Sequence, residues 1–565
     1  MPDKKAMLKL DHIKKERGSN MSNISRRDFL KGLLATGAML PLSKVTAFAE
    51  STATEATTAS GPSWFTAPKA IAENEIKETV EADVVVIGGG IAGVSAACAA
   101  QEKGASVAIL EKGGKARAFG LDFGCINSSL AKEYGIPEYT EEDIYRMTRR
   151  WVAESGGKTK PSFVLQFLNN SGKAVDWIAE KAVKWGCTPV VAAYSSNSDT
   201  YENAKGIVEF HNGPTFGQGE SFGVPDVVDA MTQQLADAGF PVAFNTRAVQ
   251  LEKDTDGKVT GVIALNKEKE YIRYRAKKGV VLATGDFAGN KEMMDYYCAW
   301  DFTGIGREAM MNYSSGDGSG HQIAMWAGAK MRKDQPLMLL PFTYPYFYLH
   351  VNKNADRFMN EDSNSVGISV AQLSQPNGIA WSIWDNKWRE ELPASLEFGG
   401  GMDWDQDFRV MGDDWSLEAE EGTMQYNTDT GNLFICDTIE ELAEMTELPV
   451  DRLKATIARY NELAEKGVDE DFGKRKELLT TIDQGPFYAL RMNTGLCVSV
   501  GGVDVNIDHN VLDEDGCPIE NLYAIGNVAS DLHTDGDYVE SVVPGNSIGR
   551  CVTFGKLVGE ALAAK

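Results

Sequence analysis

The pattern of apolar and polar positions is clearest between Asp83 and Lys103. The run from Asp83 to Ile87 is almost entirely apolar, three spaced glycines follow, and an alanine-rich stretch continues to about Lys103. A short apolar run bounded by glycines predicts a buried strand, and the alanine-rich stretch predicts a helix. A second apolar run, Ser106–Glu111, predicts the next strand. Strand, glycine turn, helix and strand in this order form a βαβ unit of a parallel sheet.

The predicted turn has the spacing G-x-G-x-x-G. In a Rossmann unit the first glycine makes a tight turn, the second lets the backbone approach a pyrophosphate, and the third lets helix and strand pack closely. Glu111 lies about twenty residues past the glycines, where a ribose hydroxyl needs an acceptor. We therefore predict a dinucleotide site in preference to a glycine turn without a ligand. The residues assigned to this part of the site are Gly88, Gly90, Ile91, Ala92, Gly93, Glu111 and Lys112.

Four stretches with different patterns of apolar and polar residues follow this unit. Apolar residues recur at helical spacing from Glu141 to Trp185, and strand-like runs from Val242 to Ala283 lead into Ala-Thr-Gly. From Leu337 to Phe487 aromatic clusters alternate with acidic helical stretches, whereas Gly501–Ala563 returns to glycine-rich strand, turn and helix. This order predicts a cofactor domain interrupted by an inserted lobe. Ligand pockets favour the cleft between two such parts.

The predicted fold class is therefore α/β, with a Rossmann-like dinucleotide-binding domain split by an inserted α+β capping domain. We place the two parts of the dinucleotide-binding domain at residues 76–336 and 488–565, and the capping domain at residues 337–487. Residues 50–75 are predicted to be a linker, since its first part is rich in Ser, Thr and Ala and too poor in apolar residues to pack.

The first 49 residues have the pattern of an export signal. Ser25–Lys31 contains twin arginines, Gly32–Leu42 is a short apolar region, and Ala47-Phe48-Ala49 offers a small-residue cleavage site. The apolar region is shorter than the roughly twenty residues of a membrane span. We favour a twin-arginine signal peptide over a retained anchor, and expect no stable membrane span. Because this pathway carries folded, cofactor-loaded proteins, we expect the protein in the periplasm or at the cell surface.

Charge and cysteine content narrow the choice of partners. The formal net charge is -25, and nucleic acid binding requires basic patches, so we expect no nucleic acid partner. The 8 cysteines and 6 histidines are dispersed, without C-x-x-C or haem-attachment spacing. We expect no metal, and spacing does not show whether any cysteines pair. The sequence also lacks a segment typical of a covalently attached flavin mononucleotide carrier, so if this protein transfers electrons, they must come from another protein.

Several motifs together resemble the flavoprotein family of fumarate reductases, succinate dehydrogenases and 3-ketosteroid dehydrogenases. Besides the glycine turn and Glu111, they are Ala283–Gly285, Gly316–Gly318, Asp356–Glu361, Gly501–Gly502 and Leu522–Asn527. The chain looks closest to exported, twin-arginine-tagged reductases of anaerobic bacteria. The resemblance implies FAD, an inserted capping domain, hydride exchange between flavin N5 and a carbon next to an activating carbonyl, and a wider cofactor site. The further residues it assigns to that site are Gly124, Ala248, Ala283, Thr284, Gly285, Asp317, Gly526, Asn527, Gly545, Ser547 and Ile548.

The chain departs from the fumarate reductase pattern at the substrate positions. Ser365 stands where those enzymes carry an arginine proton donor, and Cys497–Val500 stands where they carry histidines. Their carboxylate-clamping motif near the C-terminus is replaced by Tyr538–Asn546. A dicarboxylate needs paired cationic donors, so we expect fumarate not to be the substrate. The loop Gly113–Gly124 lacks the histidine that attaches FAD covalently in the membrane-bound enzymes, so we expect non-covalent FAD.

Tyrosines are the candidates for the missing proton donor, because reduction of a C=C bond needs a positioned acid and the ketosteroid dehydrogenases of this family use tyrosine. We name Tyr538, Tyr346 and Tyr344 as catalytic candidates. An extended segment places Tyr344, Tyr346 and Tyr348 on one face, which favours an aromatic wall. Each tyrosine has the alternative interpretation of a packing aromatic. Glu540 and His533 are weaker candidates.

The predicted function is an exported FAD-dependent reductase that saturates an activated C=C bond of an aromatic or hydrophobic organic acceptor. A cytochrome or quinol-linked protein is the expected electron donor. The first alternative is a 3-ketosteroid-type dehydrogenase running the reverse desaturation, favoured by Pro544-Gly545 and Ile548-Gly549. However, the catalytic tyrosine of that subgroup falls on Ser541. The second alternative is a flavin-binding protein without turnover.

Overall fold

The computed structural model describes residues 62–116, 118–192, 204–212, 223–298, 300–302, 304–343, 347–398, 415–533, 538–539 and 542–565. None of the helices in these ranges is long and apolar enough to cross a membrane. The strands are β1 (Ile76–Ile87), β2 (Val107–Leu110), β3 (Cys187–Val191), β4 (Val208–Asn212), β5 (Arg247–Lys253), β6 (Val259–Leu265), β7 (Tyr271–Leu282), β8 (Met310–Asn312), β9 (Leu337–Thr343), β10 (Leu349–Asn352), β11 (Ala380–Trp384), β12 (Leu433–Cys436), β13 (Phe487–Arg491), β14 (Asn493–Ser499), β15 (Val503–Asp504), β16 (Asn510–Leu512), β17 (Pro518–Ala524) and β18 (Ala529–Ser530). The α-helices are α1 (Ile91–Glu102), α2 (Ser129–Glu133), α3 (Glu141–Glu154), α4 (Pro161–Lys184), α5 (Val224–Asp237), α6 (Lys291–Tyr297), α7 (Ser319–Trp326), α8 (Ser365–Leu373), α9 (Trp388–Ser395), α10 (Leu417–Asp429), α11 (Ile439–Thr446), α12 (Val450–Lys466) and α13 (Asn546–Ala564).

The main sheet is parallel at its centre, where β17, β7, β1 and β2 lie side by side. β16 adds an antiparallel edge strand, and the β5–β6 hairpin continues from β7. The last four residues of β1, Val84–Ile87, pair with Val107–Leu110 and are all buried. A central parallel strand is covered on both faces, which explains the continuous apolar run. The predicted α/β fold class is confirmed.

β1 begins earlier than the apolar run suggested. It starts at Ile76, and its first half is mostly exposed and polar. This half pairs with the start of β7, from Ile76 opposite Tyr271 to Ala82 opposite Ala276. The pairing is made by residues far apart in sequence, and an exposed edge needs no apolar side chains, so the hydrophobic pattern did not indicate it.

The last helix, α13, packs directly on the first, α1. Gly559 allows this approach, because a Cβ at that position would lie 2.2 Å from the carbonyl oxygen of Ala96. Gly555 makes a similar approach, 2.8 Å from the carbonyl oxygen of Ala92. The C-terminal segment is therefore held beside the glycine turn, although more than four hundred residues separate them in the sequence.

The inserted lobe has its own antiparallel sheet, in the order β10, β11, β13, β12. Two hydrophobic clusters, separate from the core of the main sheet, surround it. The motif Asp356–Glu361 lies here, where Arg357 pairs with Glu361 at 2.7 Å and with Asp469 at 2.8 Å. Helices α11 and α12 correspond to the acidic stretches of the sequence. The exact boundaries of the lobe, 337 and 487, stay predictions.

A three-stranded sheet of β8, β14 and β9 joins the lobe to the main domain. It brings Ser499, the last residue of β14, to the end of β7, where the Ser499 N–H donates to Asp286 at 3.2 Å.

The segment just before β1 also packs on the domain. Trp64 is only 3% exposed, and its carbonyl accepts a hydrogen bond from the Trp326 indole at 2.8 Å.

Candidate cofactor and active site

The glycine turn between β1 and α1 makes the closest backbone approaches of the site. Gly88 has a φ of 111°, and a Cβ there would lie 2.2 Å from the carbonyl oxygen of Ala283. A Cβ on Gly93 would lie 1.9 Å from the carbonyl oxygen of Gly88. Only glycine satisfies both positions. Gly90 is the N-cap of α1, and no described side chain caps this helix, so its first amides are available to an anionic oxygen.

Glu111 is buried at the carboxyl end of β2 and fixes the loops on either side of it. Its Oε2 accepts a hydrogen bond from the Gly89 N–H at 2.9 Å, and its Oε1 accepts one from the Gly113 N–H at 2.7 Å. A carboxylate has about four acceptor positions. Among the described residues, these two N–H groups are the donors to its carboxylate, so two positions can accept hydroxyl groups; the assignment of Glu111 to a ribose stays a prediction.

A cleft opens at this edge of the sheet. The predicted residues Gly88, Glu111, Lys112, Ala248 and Thr284 line it. The sequence analysis missed Thr246, Arg247, Ser319, Gly320 and Ile323, which also line it. Arg247 and Thr246 precede Ala248 at the start of β5, and the other three open α7 after the Gly316–Gly318 motif. Thr284 approaches α7 closely, since a Cβ on Gly320 would lie 1.8 Å from its hydroxyl oxygen.

Asp317 joins two cations at the cleft. Its carboxylate contacts Lys112 at 2.8 Å and Arg247 at 2.8 Å, and it also accepts a hydrogen bond from the Ser319 N–H. Burial raises the pKa of Asp317, but the charges of Lys112 and Arg247 outweigh this effect and hold the pKa well below its ordinary value. The ionised carboxylate therefore orients both cationic side chains beside the predicted adenosine end.

Asp286 follows the Ala283–Gly285 segment and is buried beside Ser499, the last residue of β14. Both of its carboxylate oxygens accept from the Ser314 hydroxyl, at 2.8 and 2.9 Å. Burial raises the pKa of Asp286 to about 6, although these hydrogen bonds act in the opposite direction. Its position ties Gly285, which has a φ of 74°, to the loop that carries Asp317.

A second group of predicted residues lies at the start of α13. The Gly124 N–H donates to the Gly545 carbonyl at 2.9 Å, and a Cβ on Gly124 would lie 2.5 Å from the Asn546 amide nitrogen. Ile548 contacts the same loop through Gly120, and Ser547 is buried in the first turn of the helix. The predicted loop and the predicted C-terminal turn therefore form one wall.

The turn Gly526–Val528 connects the two groups. Gly526 has a φ of 72°, and a Cβ there would lie 3.1 Å from the Cβ of Ala92 in the first turn of α1. Asn527 is half-buried next to it. The structure thus brings together the glycine turn, this turn and the start of α13, which carry residues assigned to the cofactor from three distant parts of the sequence.

The structure describes some of the catalytic candidates and not others. Tyr538 is buried and packs on His533, with the ring centroids 4.7 Å apart. Burial, and then the charge of Arg550, lower the pKa of His533 well below its ordinary value, so the imidazole is neutral. Tyr344 and Tyr346 lie outside the described residues, as does Glu540. Tyr348 stacks on Trp384 inside the lobe, with the ring centroids 5.6 Å apart, and it belongs to the hydrophobic core there.

The described residues contain no group of histidines, cysteines and acidic side chains arranged to hold a metal ion. They do fit a dinucleotide. An uncapped helix start, a turn that a Cβ would fill and an acidic acceptor at the next strand are the donor set that a pyrophosphate and a ribose require. The fold and the site define a dinucleotide-binding protein of the α/β class.

Residues 83–535 match the FAD-binding domain family, and the chain belongs to that family. FAD is its cofactor, and the protein is an FAD-dependent oxidoreductase acting on CH–CH groups. Residues 23–40 match the twin-arginine translocation signal, so the chain is exported by that pathway. The predicted resemblance, the cofactor and the export signal are confirmed.

The relatives include reductases. The chain is 28% identical to the vinyl phenol reductase of Lactiplantibacillus plantarum over 85% of this chain and 96% of that protein. It is 27% identical to the urocanate reductase of Eggerthella lenta over 91% of this chain and 80% of that protein. Among solved structures, the 3-ketosteroid-Δ4-(5α)-dehydrogenase of Rhodococcus jostii superposes with a TM-score of 0.66 at 22% identity, over 88% of this chain and 100% of that one. The last likeness shows the shared fold.

Proposed function

We propose that the protein is an exported FAD-dependent reductase that saturates an activated C=C bond of an aromatic or hydrophobic enoate or enone. In such a reaction bound FAD supplies a hydride to one carbon of the double bond, and the protein supplies a proton to its neighbour. The two relatives support this class of reaction. One is named for vinyl phenol, which is by its name an aryl-substituted alkene.

The observation that carries the proposal is the neutral character of the segment beside α13. In its described part, Tyr538–Val539 and Val542–Asn546, every residue is buried and none is charged. His533 beside it is neutral, and Arg550 is engaged with Asp531 at 2.6 Å. A dicarboxylate needs cationic donors, preferably bidentate arginine. This neutral, buried segment therefore favours a substrate with an apolar or aromatic body over fumarate.

Tyr538 is the proposed proton donor. It is 3% exposed, so its hydroxyl is largely shielded from bulk water, and the His533 ring packed against it fixes the orientation of the phenol ring.

The cofactor is proposed to be non-covalent. Its proposed contacts are the residues assigned above, with Glu111 at the adenosine end and the start of α13 at the other. The electron donor is proposed to be a cytochrome or quinol-linked protein.

The test of the proposal is anaerobic reoxidation. The purified, FAD-loaded protein is chemically reduced, and the return of the oxidised flavin absorbance is followed with cinnamates, other enoates, 3-ketosteroids or fumarate as acceptors. We expect fast reoxidation by cinnamate-like or enoate acceptors. Reoxidation by fumarate alone would contradict the argument from charge, and reoxidation by ketosteroid dienes alone would favour the dehydrogenase alternative.

Tyr538→Phe tests the proton donor. We expect the variant to keep its FAD and to be reduced normally, while reoxidation by the best acceptor slows by roughly 10²- to 10⁴-fold, the range of general acid catalysis. Tyr274→Phe, a buried tyrosine of β7, is the matched control and should reoxidise at the normal rate. Equal rates in the two variants would remove Tyr538 from the donor role.

A further inference from the structure

Arg550 lies in α13 and is fully buried. Its guanidinium pairs with Asp531, with Nη1 and Oδ1 at 2.6 Å, and both side chains have no exposed surface. Asp531 lies after β18, in the segment that follows the turn Gly526–Val528. The ion pair therefore fastens the last helix to that segment, inside the domain.

The same guanidinium holds the turn itself. Nη1 donates to the Gly526 carbonyl at 3.0 Å, and Nη2 donates to the Asn527 side-chain oxygen, Oδ1, at 2.8 Å. A guanidinium has only donors. The Asn527 amide must therefore turn its oxygen toward Arg550, which leaves its Nδ2 group on the opposite side.

The free side of the Asn527 amide is directed away from the buried ion pair. Asn527 is half-buried, whereas Arg550 and Asp531 are completely buried. Its neighbour Gly526 lies close to the first turn of α1, since a Cβ on Gly526 would be 3.1 Å from the Cβ of Ala92. The amides of that turn are available to bind an anionic oxygen. A donor at this place complements the oxygen-rich middle of a dinucleotide.

The ion pair is poorly arranged for stability alone. Arg550 Nε and Asp531 Oδ2 are buried and have no hydrogen-bond partner among the described residues. Burying two charges costs several kcal/mol per ion in general, and only complete hydrogen bonding compensates for this cost. A buried pair that leaves such atoms unpartnered is better explained by what it positions.

We propose that Arg550, held by Asp531, is a positioning residue of the cofactor site, which fixes the Asn527 amide so that its Nδ2 group donates to an oxygen in the middle of FAD. The inference depends on the cofactor and not on the proposed substrate, so a failure of the reoxidation test leaves it intact.

Asn527→Asp is the first test, because it replaces the donor by an acceptor of the same size and still offers Arg550 an oxygen. FAD is removed from the full-length protein, and its affinity is measured by titration with flavin fluorescence. We expect affinity to fall by roughly tenfold or more, the equivalent of one hydrogen bond, with unchanged thermal unfolding of the apoprotein. Asn169→Asp, on the exposed surface of α4, is the control for the chemical change. Unchanged FAD affinity in Asn527→Asp would overturn the proposal.

The double variant Arg550→Met with Asp531→Leu tests the positioning role. It removes both buried charges together, so neither is left unpaired. We expect FAD affinity to fall by a similar factor, and adding Asn527→Asp to it should cause little further loss, because the orienting contact is already gone. Full additivity, or normal FAD affinity in the double variant, would show that Arg550 has only a structural role. If the double variant does not fold, the Asn527→Asp titration decides the question.

Discussion

Replacing Asp286 by asparagine should stabilise the protein at neutral pH. The carboxylate is 6% exposed, and its pKa is raised from 3.8 to about 6, chiefly by burial. The folded state therefore binds the proton more tightly than the unfolded state does. The stabilisation from this protonation is fully present below about pH 4 and is lost as the pH rises through about 6. A difference of about two pKa units corresponds to roughly 3 kcal/mol.

Asparagine should retain the local hydrogen bonds without this cost. The Asn Oδ1 can accept from the Ser499 N–H, and its Nδ2 can donate to the Ser314 hydroxyl, which now donates to the carboxylate. We expect Asp286→Asn to unfold at a higher urea concentration than the parent at pH 8, by up to about 3 kcal/mol in the free energy of unfolding. The advantage should shrink toward zero near pH 4.

The measurement is urea unfolding of the FAD-loaded proteins at several pH values between 4 and 8. Asp237→Asn, at the exposed end of α5, controls for the loss of one negative charge. An advantage of Asp286→Asn that stays constant with pH would refute the assignment of the effect to this carboxyl group. A loss of stability at pH 8 would show that the ionised form is stabilised by contacts stronger than its desolvation cost.

Two further predictions concern packing. Gly124→Ala should reduce flavin loading strongly, because its Cβ would lie 2.4 Å from the Pro544 carbonyl oxygen and displace the start of α13. Gly367→Ala, inside α8, is the control, because the nearest atom to its Cβ would be the Asn364 side-chain oxygen at 3.3 Å, and equal flavin content in the two purified variants would contradict the prediction. Trp64→Ala should lower the free energy of unfolding by roughly 3–5 kcal/mol, since the side chain is 3% exposed. Its neighbour Phe65 is 52% exposed, so Phe65→Ala should change stability by about 0.5 kcal/mol or less, and similar losses in the two would show that Trp64 does not anchor this segment.

The parts of the fold that the sequence predicted correctly are those with strong local periodicity. Strand β1, the glycine turn and α1 follow from one continuous pattern. Helices α11 and α12 follow from their acidic, amphipathic spacing. The pairing of Ile76 with Tyr271, by contrast, joins half-buried residues distant in sequence. No local pattern records such a contact.

The sequence indicated those site residues for which a motif requires a particular backbone conformation, as at Gly88, or a single hydrogen-bond acceptor, as at Glu111. Asp286 and Arg550 were missed, because their importance depends on burial by other elements. A signal was nevertheless present for Arg550, which is the one charged residue in the first half of α13, from Asn546 to Gly555. Trp64 falls in the predicted linker, and its aromatic neighbour Phe65 was the available sign that packing begins there.

The place of α13 in the chain has a consequence for biosynthesis. Translation at 5–20 residues per second takes roughly half a minute to two minutes for a chain of this length. The twin-arginine signal leaves the ribosome long before the helix that completes the wall at Gly124 and the Asn527 turn. The export signal is therefore exposed while the flavin site is still incomplete, so export of the flavin-loaded protein requires that α13 be synthesised before export begins.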